Sequence, residues 1–187
     1  MAAVESRTFR GAEGLRIRGD IVGRADGPTV LLLHGGGQTR HSWGGAAQEL
    51  AARGYRAVTL DARGHGDSDW APDGRYGLEA LAQDLLGVID ALATPVALVG
   101  ASMGGATALY LAASGTTTHV AALVMVDIVP RIEPEWWMTI ERQRLLSSGA
   151  RVRKTVSMEE EPEAETKAGN ARPSIRVADL PSSAKST

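Results

Sequence analysis

A chain of 187 residues, 43% of them hydrophobic, is long enough to bury one core and short for two independent domains. Its 20 Lys+Arg against 22 Asp+Glu leave a formal charge of -2, so no global field draws it to nucleic acid or to an anionic membrane. The absence of Cys excludes a disulfide framework, a thiolate metal centre and a cysteine nucleophile.

Along the chain, the first ten residues mix Glu5, Arg7 and Arg10 with small residues and hold no apolar stretch of signal-peptide length. Thr8 to Arg10 and Leu15 to Val22 read as an antiparallel edge pair. Thr29 to Leu33 is a continuous apolar run, the pattern of a strand buried on both faces of a parallel sheet, and Tyr55 to Leu60, Val96 to Val99 and Val120 to Val126 repeat it. Between these runs Trp43, Ala46, Ala47 and Leu50 fall at helical spacing, with Ser42 as a cap and Gly54 as a stop. Leu78, Leu81, Leu85, Leu86, Ile89 and Leu92 form a second apolar stripe that ends before Pro95, and an Ala-rich helix runs from 106 to 113. Alternating strands and helices imply an α/β fold, a mostly parallel sheet covered by helices on both faces. The longest apolar run is Val120 to Val126, far below the ~20 residues that span a bilayer, so a soluble, cytoplasmic protein is expected.

Composition changes at position 150. The first 150 residues hold 13 Arg and no Lys, the remaining 37 hold all three Lys, and no aromatic residue follows Trp137. An acidic stretch from Glu159 to Glu165 lies among sparse aliphatics, too few to offset the entropy of ordering, so residues 151–187 are expected to be a disordered tail. The chain divides on this reading into a core over 1–134, the start of a cap or an aberrant helix over 135–150, and the tail. Trp136-Trp137 fits either the beginning of a cap or an exposed apolar pair.

Chemistry concentrates at three turns that follow buried strands. Gly100-Ala101-Ser102-Met103-Gly104 is a G-x-S-x-G motif between a strand and an Ala-rich helix. There a sharp turn strains the serine backbone, projects its hydroxyl at the carboxyl end of the sheet, and needs small residues two positions away on either side. Isolated, the motif reads equally well as a glycine-rich turn whose serine only caps the helix. His34-Gly35-Gly36-Gly37 follows the first buried strand and offers unhindered backbone N–H groups. Asp61-Ala62-Arg63-Gly64-His65-Gly66-Asp67-Ser68 follows the next strand as a rigid loop at the same sheet edge.

In this order and context the three motifs resemble the α/β-hydrolase superfamily, over about Thr8 to Pro134. The resemblance implies Ser102 as nucleophile, an oxyanion hole from the amides of Gly36 and Met103, and structural roles for His34, Gly35, Gly37, Gly100, Gly104, Asp61, Arg63, Gly64, His65 and Gly66. Asp127, at the end of the last apolar run, occupies one of the two places where the family puts its triad acid. A serine at the elbow is similar to the esterase, thioesterase, lactonase, carbon-carbon hydrolase and haloperoxidase-like branches, and unlike haloalkane dehalogenases and epoxide hydrolases, which carry aspartate there. The expected partner is a small-molecule carbonyl substrate, and no cofactor is implied.

One family feature is missing. The four histidines are His34, His41, His65 and His119, none far enough beyond Ser102 to be the triad base. His34 and His65 are the candidates for a substitute base, and His41 and His119 are expected on the surface. The last strands are also expected to be absent, leaving 120–126 as an uncovered edge, through truncation or, preferred here, a shift of reading frame near Glu135. A weakly active hydrolase and a noncatalytic remnant or small-molecule binding module are the competing readings. No ligand pair has a zinc or calcium spacing, no lysine precedes position 154 to build a P-loop or a Schiff base, and no G-x-G-x-x-G is present, so metal, phosphate-loop and dinucleotide chemistry are set aside. Oligomeric state is left open.

Overall fold

The computed structural model describes residues 1–117 and 119–126, together with the backbone of residues 151–153. Seven strands form one sheet: β1 (Val4–Arg10), β2 (Arg16–Val22), β3 (Thr29–Leu33), β4 (Arg56–Leu60), β5 (Val96–Ala101), β6 (Val120–Val126) and β7 (Arg151–Arg153). Three α-helices connect them, α1 (Gly44–Ala52), α2 (Leu78–Leu92) and α3 (Met103–Ser114). The order across the sheet is β1-β2-β4-β3-β5-β6-β7, antiparallel at β1/β2 and β2/β4 and parallel from β4 through β7.

The all-apolar runs are central strands because both of their faces are covered. Every residue of β3 is buried, and the core separates into two clusters on opposite faces of the sheet. Leu81, Leu85, Val88, Ile89 and Leu92 of α2 and Ala108 and Leu111 of α3 pack on Leu31, Val58 and Leu98, while Trp43, Ala47 and Leu50 pack on Val30, Leu32, Ala57 and Val99. This division follows from handedness. The crossover β3-α1-β4 moves one way across the sheet and β4-α2-β5 moves back past β3, so right-handed connections place α1 and α2 on opposite faces. The strand order therefore reverses between β3 and β5, and the crevice beyond their carboxyl ends is where open α/β sheets bind ligands.

Local details depart from the sequence reading. Ser42 caps no helix: Arg40–Trp43 is a 3-10 turn that runs directly into α1, without a side-chain cap bond. Gly54, at φ +87°, does lie just past the end of α1 as expected. On α2 the buried stripe takes in Val88, whereas Leu78 is exposed. α3 begins at Met103, three residues before the Ala-rich run.

β6 is not wholly an uncovered edge. Ala122, Leu123 and Val124 pair in parallel with Arg151, Val152 and Arg153, at the first residues of the segment read as disordered. Strand pairing is made by backbone groups, and an Arg-Val-Arg triplet carries no apolar run to announce it. Asp127, Trp136, Trp137 and the rest of the expected cap and tail lie outside the described residues. Among the described residues no helix is long and apolar enough to cross a membrane.

Candidate active site

The turn from β5 into α3 carries its serine in a backbone conformation that L residues rarely adopt. Ser102 sits at φ +45°, ψ −112°, its side chain makes no cap bond to the helix, and the residue is exposed. The capping role open to an isolated G-x-S-x-G is therefore not what this serine does. Two glycines make the turn possible. A Cβ at Gly100 would lie 2.4 Å from the Gly104 carbonyl carbon and the Gly105 nitrogen, and one at Gly104 would lie 2.4 Å from the Leu33 carbonyl oxygen and 2.7 Å from that of His34. The Ser102 amide donates to the Val126 carbonyl at 3.2 Å, which ties the turn to the end of β6 immediately before Asp127.

The loop after β3 lies against this serine. A Cβ at Gly35 would come within 3.6 Å of the Ser102 Cβ, so there is room for a glycine there and little more. Two of the loop's three glycine amides are engaged. Gly35 donates to Gln38 Oε1 at 3.1 Å and Gly37 donates to His65 Nε2 at 3.3 Å. The Gly36 amide has no partner among the described residues, and a Cβ on Gly36 would meet nothing within 4 Å. The Met103 amide, first in α3, is also unengaged, as the opening N–H groups of a helix must be. Ser102 and Gly36 are exposed and Met103 is half-buried, on turns that follow the neighbouring strands β5 and β3.

His34 and His65 clasp the two loops together. His34 is buried, its Nε2 accepts from the Ala62 amide at 3.0 Å, and its Nδ1 accordingly carries the proton and donates to the Gly35 carbonyl at 2.7 Å. Burial pushes the His34 pKa below 6.5, against the opposing pull of the Gly35 carbonyl. His65 is held in the same way, with Nδ1 on the Arg63 carbonyl at 3.1 Å and Nε2 on the Gly37 amide, and the two rings lie 5.0 Å apart. Neither imidazole is directed at Ser102. His41 is exposed as expected, whereas His119 is half-buried, with an Nδ1 that has no partner among the described residues.

The Asp61–Ser68 loop is fixed by two ionic clusters. Asp61 is fully buried and accepts from the backbone amides of Arg40 at 2.6 Å and Asp67 at 3.0 Å, and from the Arg40 guanidinium. Burial alone would raise its pKa, but these donors outweigh burial and hold the carboxyl below 3.8. Arg40 also reaches Asp20 at 3.0 Å and Asp67 at 2.8 Å. A Cβ on Gly66, at φ +51°, would fall 2.2 Å from Asp61 Oδ2, so this turn also requires glycine. At the other end Arg63, 1% exposed, is bidentate to Asp84 of α2 at 2.6 and 2.8 Å and donates to the Arg75 carbonyl. Sequence reasoning missed Gln38, Arg40 and Asp84. Of these only Asp84 left a trace, a carboxylate inside the apolar stripe of a helix.

Among the described residues no cluster of three His, Asp or Glu is arranged to hold a metal. A small cavity of about 40 Å³ is walled by Leu33, His34, Leu81, Leu85, Met103 and Thr107, among others. Ser102 is not part of its wall.

The chain belongs to the α/β-hydrolase family: the family model described as "alpha/beta hydrolase fold" matches residues 28–169. Among its relatives, protein phosphatase methylesterase 1 of Mus musculus is 38% identical over 110 residues, 56% of this chain and 28% of that protein. The sn-1-specific diacylglycerol lipase ABHD11 of the same organism is 43% identical over 110 residues, covering 58% and 35% respectively. The chain therefore spans about a third of the length of these curated relatives. The crystal structure of epoxide hydrolase VrEH1 from Vigna radiata superposes with a TM-score of 0.62 at 29% identity, over 74% of this chain and 46% of that one.

Proposed function

We propose that this member of the family is a serine hydrolase for ester, thioester or related carbonyl substrates, with Ser102 forming the acyl-enzyme. Ser102 Oγ attacks the carbonyl carbon and gives up its proton to water, and the Gly36 and Met103 amides receive the oxyanion. The bond to the leaving group breaks as that group takes a proton and departs as alcohol or thiol, and a second water then adds to the acyl-enzyme, releasing the acid and restoring the Ser102 hydroxyl. Asp127, one residue beyond the carbonyl that holds the Ser102 amide, is the acid of this scheme. The observation that carries the reading is the strained, exposed, uncapped Ser102 beside the one unengaged amide among Gly35, Gly36 and Gly37. The names of the relatives, a methylesterase and a diacylglycerol lipase, support ester cleavage as the chemistry.

The second reading, a small-molecule binding module, is favoured by one specific observation. All four histidines lie among the described residues, and none bonds Ser102. Without an imidazole to take the serine proton, acylation falls by several orders of magnitude, leaving roughly 10³-fold acceleration from the oxyanion donors and binding. A fluorophosphonate probe, which phosphonylates an activated serine and expels fluoride, separates the readings. Intact-mass analysis should show one adduct, formed over hours and absent from Ser102→Ala. A folded protein that never labels establishes the binding module, and labelling within seconds would mean that a base acts on Ser102 after all.

A further inference from the structure

The outer edge of the sheet is a strand with no partner, and its charges are arranged to receive a copy of itself. β1 runs seven residues in unbroken antiparallel register with β2, from Val4↔Val22 to Arg10↔Arg16, and its other edge is unpaired among the described residues. Of the usual protections of an edge it has charged side chains, Glu5, Arg7 and Arg10, but no proline, no lysine, no bulge, and no covering element among the described residues. Val4, Glu5, Ser6 and Thr8 are exposed, Val4 at 56%. Glu5 has no ion-pair partner among the described residues, and Arg7 meets only the Phe9 ring, at 5.1 Å.

We propose that β1 pairs antiparallel with β1 of a second copy, the two-fold axis passing beside Ser6, to make one sheet continuous through both chains. A dyad perpendicular to a sheet sets residues of the same face opposite each other, so it must pass beside a single residue. Centred on Glu5 it opposes Glu5 to Glu5, and centred on Arg7 it opposes Arg7 to Arg7. Centred on Ser6 it opposes Glu5 to Arg7 twice over, on the face that carries Phe9, and sets exposed Val4 against Thr8 on the other face. The ladder stops naturally at Val4, because both backbone groups of Ala2 are held by the Gln48 side chain at 2.8 and 3.0 Å, which turns the N-terminus toward α1. Five residues from each chain make a small contact, so the association is weak and concentration-dependent, with a Kd on the order of micromolar or above. β5, which carries the Ser102 turn, is four positions away across the sheet, and both crevices stay open.

Because the chain has no cysteine, one can be placed anywhere without competition. In Ser6→Cys the two copies of position 6 face each other across the axis at a Cα separation of about 4.5–5.5 Å, within disulfide range. Mild oxidation of the full chain should give a crosslinked dimer for Ser6→Cys and little for Glu5→Cys or Thr8→Cys, whose mates are other residues. In sedimentation velocity Glu5→Arg and Arg7→Glu should each weaken dimerisation about tenfold, and the double exchange Glu5→Arg/Arg7→Glu should restore it. That restoration separates charge pairing from damage to the fold. A monomer at every concentration with no crosslink at position 6, as when a segment of the same chain covers the edge, overturns the proposal. So does a dimer indifferent to the charge reversals, which would use another surface.

Discussion

Removing the Asp84 carboxylate should cost more stability than any other single truncation on the buried loop side of the sheet. The carboxylate accepts three donors, Arg63 Nε at 2.6 Å, Arg63 Nη2 at 2.8 Å and the Ala12 amide at 2.9 Å, and the Arg63 side chain is fully shielded from water. Asp84→Ala therefore leaves a guanidinium buried without its counter-charge, a loss of about 3–5 kcal/mol. With a urea slope near 2 kcal/mol per molar, the unfolding midpoint should fall by about 1.5–2.5 M. The penalty belongs to the stranded charge and not to missing volume. Arg63→Met/Asp84→Leu, which removes both charges and keeps an apolar fill, should recover most of it, short by the ~1 kcal/mol of an unpaired Ala12 amide. Asp84→Asn, which keeps the shape and one acceptor, should fall between. The reasoning is refuted if Asp84→Ala shifts the midpoint by less than about 0.5 M, or if the double replacement is no more stable than the single one.

Two further outcomes follow from the same geometry. Gly104→Ala drives a methyl into the Leu33 and His34 carbonyl oxygens, backbone atoms that cannot step aside. It should cost about 1–3 kcal/mol in urea unfolding and slow probe labelling at Ser102, while Gly36→Ala, facing open space, should change stability by under about 0.5 kcal/mol. Acid should act through His34 and then Asp61. Both groups have folded-state pKa values below their ordinary ones of 6.5 and 3.8, so each contributes stability that is complete above the ordinary value and lost as pH falls toward the folded one. Nitrogen-15 spectra should show the His34 ring neutral and Nδ1-protonated at about pH 7, with its titration midpoint below the ordinary 6.5, and in Asp61→Asn the decline of stability below about pH 4 should be shallower than in the parent chain. A His34 midpoint at or above 6.5 would contradict the clasp.

What the sequence made legible was whatever burial or close approach forces on residue type. β3, β4, β5 and β6 announce themselves as mostly apolar runs; Thr29–Leu33, covered on both faces, is buried throughout, whereas β6 buries only Leu123 fully. Gly100 and Gly104 announce the turn because backbone comes within 2.4–2.7 Å of where their Cβ atoms would be. Features built from backbone pairing or from single long-range polar contacts left no such mark. β7 is three residues of ladder with no apolar pattern, and the helical period that found Leu81, Leu85 and Ile89 could not tell that Leu78 would be exposed. Arg40 and Gln38 looked like ordinary loop residues, yet one meets three carboxylates and the other fixes Gly35.

The histidine pair shows why the number of imidazoles near a serine is a poor guide to its reactivity. In His34 and His65 one ring nitrogen is spent on a carbonyl and the other accepts a backbone amide, and those amides belong to Ala62 and Gly37, the two loops that frame the crevice. To act as a base on Ser102, either ring would have to release its amide; Gly37 is exposed, so its amide would turn to water at little cost, whereas the half-buried Ala62 amide would cost about 1 kcal/mol. Freeing Gly37 would also remove one of the bonds that hold the turn carrying Gly36, the proposed oxyanion donor. As the clasp stands, neither ring has a nitrogen free to take the Ser102 proton. A base for the proposed serine chemistry must therefore be a group other than His34 and His65 as they are held here.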